Sequence, residues 1–165
     1  SAEPADTSVR LIDVLPLSVG VAGEARRFIR LITRNTPVPA EREFIVRTKT
    51  DNQTTYTEHL FQGERADALR NEYLGTVVIE NIPPGPARSQ TITLTIGLDT
   101  QGMLSLGTSD VNSPVGIRLD RTRSVADIAR EFEAYAWPAA AIKSERPDSA
   151  LGRFFARIRS LFGGG

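Results

Sequence analysis

The 165-residue sequence contains no cysteine, which excludes disulfide bonds and thiolate metal sites. Its only histidine is His59, so a structural zinc site has no plausible ligand set. Basic and acidic residues number 20 each, and this zero net charge argues against nucleic acid as a partner. No apolar run approaches the roughly 18 residues of a membrane span, so a membrane partner is not expected. The lack of cysteine fits a reducing compartment, and we predict a cytoplasmic protein.

Catalytic motifs are also missing. The segment GVAGEA lacks the glycine spacing of a dinucleotide-binding loop, and neither a phosphate loop nor a nucleophile elbow is present. Asp99 and Asp110 fall in turns, where aspartate commonly supports turn geometry. His59 lies within a strand pattern and is expected to be a surface or packing residue. We therefore predict that the chain is not an enzyme and holds neither a metal nor a cofactor.

Short strands dominate the first two thirds of the sequence. In QTITLTIGL, apolar residues alternate with threonine and glycine, as expected for a strand with one buried face. Turn signals such as NIPPGPARS separate the strands, and the spacing is typical of an antiparallel sandwich or barrel. Further strands are predicted at residues 10–14, 19–22, 27–33, 42–49, 54–62, 73–80, 103–107 and 115–120.

The C-terminal part has a helical pattern. Ser124 and Asp127 form a near-match to a capping box ahead of a helix, which Pro138 is expected to end. An apolar stripe predicts a second, amphipathic helix over residues 150–162. The predicted organisation is a disordered lead-in (1–8), a β-domain (9–122), a helix packed on it (123–137), and a linker with a short amphipathic helix (138–165).

Five segments resemble the substrate-binding β-sandwich of the seventy-kilodalton heat-shock chaperones. They occur in the order and at the spacing of the family, and no alignment gap is needed between them. They are DVLPLSVGV (13–21), LITRNTPVP (31–39), DNQ…FQGER (51–65), LGTVVIENIPPGP (74–86) and ITLTIGLDTQGML (92–104). The resemblance covers about residues 9–135. It implies a mainly β fold, a two-layer antiparallel β-sandwich followed by a C-terminal α-helical segment.

The resemblance also implies an activity, which is transient binding of extended, apolar segments of unfolded proteins in a cleft at one end of the sandwich. In the family, an upstream ATPase domain and co-chaperones control this binding, so ATP is expected on that domain and no cofactor on this chain. The alternative is a structural or regulatory interaction module with a closed cleft. The implied peptide-binding residues are Val19, Val21, Gly23, Glu24, Val46, Lys49, Gln53, Tyr56 and Glu58.

The floor of the implied cleft departs from the family pattern. Tyr56 stands where a small β-branched residue is usual and Glu58 where isoleucine is usual, and both share a strand face with Leu60. One interpretation is a lost pocket; another is a cleft that prefers small or basic side chains; a third is a different alignment or peptide path. Glu24 and Lys49 replace the residues that arch over the peptide, and either form an ion pair or remain two solvated charges.

Two further regions carry expectations about partners. Arg10, Leu11, Asp13 and Gln101 correspond to positions that contact the ATPase domain in the family. The amphipathic segment 150–162 packs on its own sandwich as a short lid, lies on a membrane surface, or occupies the cleft of a neighbouring molecule.

Overall fold

The computed structural model describes residues 11–110 and 114–135. This part of the chain forms eight strands and one α-helix: β1 (Val19–Ala22), β2 (Phe28–Ile32), β3 (Ala40–Arg47), β4 (Tyr56–Gln62), β5 (Glu72–Glu80), β6 (Thr91–Leu98), β7 (Leu104–Thr108), β8 (Gly116–Asp120) and α1 (Val125–Ala134). None of its helices is long and apolar enough to cross a membrane.

The strands form two antiparallel sheets that pack as a sandwich. One sheet has five strands in the order β2-β1-β4-β5-β8, and the other has three in the order β3-β6-β7. This confirms the predicted fold class, a mainly β two-layer antiparallel sandwich followed by a helix.

The core between the sheets follows from residue alternation. Along β6 the apolar residues Ile92, Leu94, Ile96 and Leu98 are all buried, while the intervening threonines are more exposed. They pack with the inward residues of β1, β4 and β5 in one cluster. The alternation of apolar and polar residues therefore predicts correctly which face of this strand is buried.

A second apolar cluster lies on the outer face of the five-stranded sheet. Phe28 and Phe61 of the sheet pack there with Ala68 and with Ile128 of α1. Ser124 begins the helix with a complete capping box, because its hydroxyl accepts from the Asp127 backbone N–H and its own N–H donates to the Asp127 carboxylate. The helix thus covers a sheet face that would otherwise expose aromatic side chains.

The structure corrects two of the predicted elements. The strand expected at residues 10–14 is not formed in the described part of that range, where only Val14 makes an isolated bridge, to Pro37. Leu11 and Ile12 are largely exposed, so their apolar pattern does not reflect burial in a sheet. The helix ends at Ala134, before Pro138, because Tyr135 adopts an extended conformation.

The predictions for residues 1–10, including Arg10, and for residues 136–165, including the segment 150–162, lie outside the described residues.

Candidate functional site

Three loops meet at one end of the sandwich. They are the β1–β2 loop (23–27), the β3–β4 loop (48–55) and the β5–β6 loop (81–90). The antiparallel pairing of β1 with β4 and of β4 with β5 brings the end of β1, the start of β4 and the end of β5 together. Most of the predicted binding residues lie in or beside these loops.

The β1–β2 loop has a strained backbone that an ion pair holds in place. Ala25 and Arg26 both have positive φ values, 52° and 64°, which cost roughly 1 kcal/mol or more each for residues other than glycine. The Arg26 guanidinium makes two hydrogen bonds to the Asp67 carboxylate, from Nε at 3.2 Å and from Nη2 at 2.7 Å. Asp67 also accepts from the Leu69 backbone N–H, so its side chain is fixed from both sides.

The β3–β4 loop is organised by Gln53. Its side-chain oxygen accepts from the backbone N–H groups of Lys49, at 2.6 Å, and Thr50, at 3.3 Å. Its side-chain nitrogen donates to the Thr55 carbonyl at 2.9 Å. Gln53, predicted to line the cleft, therefore fixes the backbone from which the Lys49 side chain extends.

Backbone hydrogen bonds join the β5–β6 loop to the β3–β4 loop. The Asn52 backbone N–H donates to the Gly85 carbonyl at 2.7 Å, and the Arg88 N–H donates to the Thr48 carbonyl at 2.9 Å. Because these hydrogen bonds join backbone to backbone, the two loops are held in a fixed position relative to each other.

Tyr56 and Glu58 are joined to each other on the inner face of β4. The Tyr56 ring is 7% exposed and belongs to the core, and its hydroxyl donates to Oε2 of the half-buried Glu58 at 3.0 Å. The Nζ atom of Lys49 lies 5.2 Å from the centroid of the Tyr56 ring, within the range of a cation–π contact. The Tyr56 ring, the Glu58 carboxylate and the Lys49 ammonium thus form one polar cluster, which is called the floor cluster below.

Burial dominates the electrostatics of the floor cluster. It raises the pKa of Glu58 to about 7, while the charge of Lys49 and the hydrogen bond from Tyr56 oppose the rise. Burial, followed by the nearby Glu58 charge, also raises the pKa of the Tyr56 phenol, which stays protonated. The carboxyl group of Glu58 therefore titrates near neutral pH beside a fixed phenol donor.

The structure does not bring all the predicted cleft residues together. Val19, Val21 and Val46 are buried in the core between the sheets, at 1%, 6% and 5% exposure. Gly23 is half-buried in the β1–β2 loop, and Glu24 is exposed beside it.

The hypothesis of a Glu24–Lys49 ion pair is wrong. No ion pair joins these two residues in the described part of the chain. The Lys49 ammonium lies over the Tyr56 ring instead, and its charge acts on the Glu58 carboxyl group.

Sequence reasoning missed a second polar cluster, on the outer face of β4. His59 is 4% exposed, and its Nδ1 lies 2.8 Å from Oγ1 of Thr76, which in turn lies 2.6 Å from the Tyr73 hydroxyl. The other ring nitrogen faces Glu131 of α1 at 3.6 Å, with the Phe132 ring alongside. Burial lowers the pKa of His59, with Glu131 opposing the change. The available signal was the alternation of β4, which places His59 on the same face as the apolar Phe61.

The opposite end of the sandwich contains two of the predicted interdomain residues. Asp13 and Gln101 line a cavity of about 480 Å³. The Asp99 carboxylate accepts from the backbone N–H groups of Gln101 and Met103, which confirms its expected part in turn geometry. Leu11 and Met103, on this same side of the fold, are 92% and 65% exposed. This end therefore presents exposed apolar side chains at a cavity with a mainly apolar lining.

No group of three or more histidine, aspartate or glutamate residues in the described ranges could hold a metal ion.

Comparison with known proteins identifies the family. Residues 1–132 match the family model described as Hsp70 protein. Two relatives named Chaperone protein DnaK, from two strains of Halobacterium salinarum, are each 39% identical over 103 residues, which is 62% of this chain and 16% of each relative. The aligned region is thus a small part of those proteins. Because the family model matches well over half of the chain, this protein belongs to the Hsp70 family.

Proposed function

We propose that this chain is a substrate-binding module of an Hsp70 chaperone and binds extended segments of unfolded polypeptides. The segment lies between the β1–β2 loop and the β3–β4 loop, at the end of the sandwich that carries the floor cluster. Family membership and the β-sandwich support this assignment.

The carrying observation is the place where the pairing of β1 with β4 stops. Val21 pairs with Leu60, and within the described residues this β1–β4 pairing extends no further toward the start of β4. Tyr56 and Glu58 therefore lie beyond the last β1 partner: β5 pairs with them on one side, and on the other side no β1 residue does. An extended peptide fits such a position, because its main chain satisfies backbone groups regardless of its sequence.

The fixed conformation of the β3–β4 and β5–β6 loops favours binding of a peptide through its main chain. The backbone of the β3–β4 loop is held by Gln53 and by the β5–β6 loop, so little ordering remains to be done on binding. The Tyr56 ring occupies volume that a smaller residue would leave open, so the pocket for a peptide side chain is shallow. Affinity then depends more on the backbone than on one large apolar side chain.

The opposite end is proposed as the contact surface for an ATPase domain. Leu11, Asp13 and Gln101 lie on this side of the fold, and the exposed apolar residues there suit a protein interface. In this proposal ATP binds the ATPase domain and not this chain, co-chaperones act on the full-length protein, and the protein works in the cytoplasm.

Fluorescence anisotropy with labelled, extended peptides tests the proposal. The 165-residue chain should bind them, and Tyr56→Val should bind peptides with a central leucine more tightly, because the smaller residue deepens the pocket. The chain alone should not hydrolyse ATP. Absence of binding by both the wild type and Tyr56→Val would refute the proposed function.

A closed interaction module is the second candidate. It is favoured by one observation: the Tyr56 ring is 7% exposed and packs within the core cluster. In that case the sandwich keeps its shape and its contact surfaces but binds no extended peptide. The same anisotropy measurement separates the two candidates.

A further inference from the structure

We propose that the floor cluster receives a cationic side chain of the bound peptide, arginine above lysine, in the position that the Lys49 ammonium occupies in the structure. The inference rests on the proposed function and names the peptides that the cleft selects.

The first step is that the floor cluster already holds a cation. The Lys49 ammonium lies 5.2 Å from the Tyr56 ring centroid, and its positive charge acts on the Glu58 carboxylate. The Tyr56 hydroxyl donates to Oε2 of Glu58, which keeps the ring and the carboxylate in a fixed relation. An aromatic face next to a carboxylate is a recognition site for ammonium and guanidinium groups.

The second step is that the Lys49 side chain can leave while its backbone stays. Lys49 is exposed, and no carboxylate forms an ion pair with it among the described residues. Its backbone N–H is held by Gln53 at 2.6 Å, so removal of the side chain from the ring leaves the loop intact. A lysine side chain has a long flexible stem and a strongly hydrated head, which makes such an exchange easy.

The third step is that an apolar side chain would bind less well here. It would displace Lys49 and cover a half-buried carboxylate without replacing the charge that stabilises it. A peptide arginine compensates fully, because its planar guanidinium stacks on the Tyr56 ring while its N–H groups donate to Glu58. An acidic side chain would face Glu58 directly and is rejected.

The test uses extended peptides that differ only at the central residue: arginine, its neutral isostere citrulline, lysine, leucine or glutamate. Anisotropy with the full chain should show roughly tenfold tighter binding of the arginine peptide than of the citrulline peptide, the ratio expected for one charge-assisted contact. Glu58→Gln should reduce that ratio to near one. Lys49→Met should tighten binding of the arginine peptide several-fold by removing the competing ammonium.

Glu72→Gln is the matched control, because it removes one carboxylate from an exposed position on β5, opposite the far end of β4. It should leave the ratio unchanged. Urea unfolding of each variant establishes that it is folded, and Lys49→Met alters only an exposed side chain. Equal binding of the arginine and citrulline peptides by the wild type, or a preference that survives Glu58→Gln, would overturn the inference. Failure of every peptide to bind would instead refute the proposed function.

Discussion

Replacing Glu58 with glutamine should remove a pH-dependent cost from the folded state. Glutamine keeps the shape of the side chain and can accept the hydrogen bond from the Tyr56 hydroxyl, but it does not ionise. Burial raises the pKa of Glu58 from 4.5 to about 7. One pKa unit corresponds to about 1.4 kcal/mol, so the ionised side chain lowers the free energy of unfolding by roughly 3 kcal/mol relative to the protonated one.

The folded chain keeps the Glu58 proton up to about pH 7, whereas the unfolded chain releases it near pH 4.5. The stabilising contribution is therefore fully present below pH 4.5 and is lost as the pH rises through about 7. His59 acts in the opposite direction, because burial lowers its pKa in the folded chain. The difference between wild type and Glu58→Gln at each pH cancels the contribution of His59.

Urea unfolding of both proteins at several pH values between about 4 and 8 measures this difference. At the acidic end the two should be nearly equally stable, and at the alkaline end Glu58→Gln should be more stable by up to about 3 kcal/mol. Glu72→Gln, which removes an exposed carboxylate from β5, is the matched control. A Glu58→Gln difference that stays constant over the whole range would refute the raised pKa of the Glu58 carboxyl group.

Three other predictions concern the supports of the site. Ser124→Ala should lower the free energy of unfolding by about 1 kcal/mol in urea titrations, because it removes the capping box of α1. Asp67→Ala should cost about 1 kcal/mol and speed backbone amide exchange in the β1–β2 loop, because the strained Arg26 loses its two hydrogen bonds. The stability of wild type relative to His59→Gln should fall as the pH drops below 6.5, since the buried imidazole binds its proton less tightly than the unfolded one; unfolding curves over that range check it.

Local patterns predicted most of the fold. The strand at 19–22 was predicted with the bounds that β1 has, and the other observed strands lie within two residues of their expected limits. This success has a physical cause: each strand has one face toward the core, so the alternation of apolar residues records its burial. The prediction failed at 10–14 because apolar residues there do not pack in a sheet, and Leu11 and Ile12 remain exposed.

Contacts between distant residues could not be predicted in the same way. The sequence placed Tyr56 and Glu58 on one strand face but did not show that the Lys49 ammonium would lie over the ring. Likewise, nothing local to His59 or to Asp67 indicates the partner that each finds far along the chain. Alternation fixes the face on which a side chain lies, whereas the identity of its partner depends on how loops and sheets are brought together.

Strand β4 serves both polar clusters, and this constrains its register. Its inner face carries Tyr56 and Glu58, and its outer face carries His59 below α1. A shift by one residue would exchange the faces. It would bring Glu58 toward Glu131 of the helix and would leave the Lys49 ammonium without its carboxylate neighbour. Electrostatic interactions therefore oppose the same register shift that the burial of apolar residues opposes. The register of β4 fixes both the floor of the proposed cleft and the surface on which α1 packs.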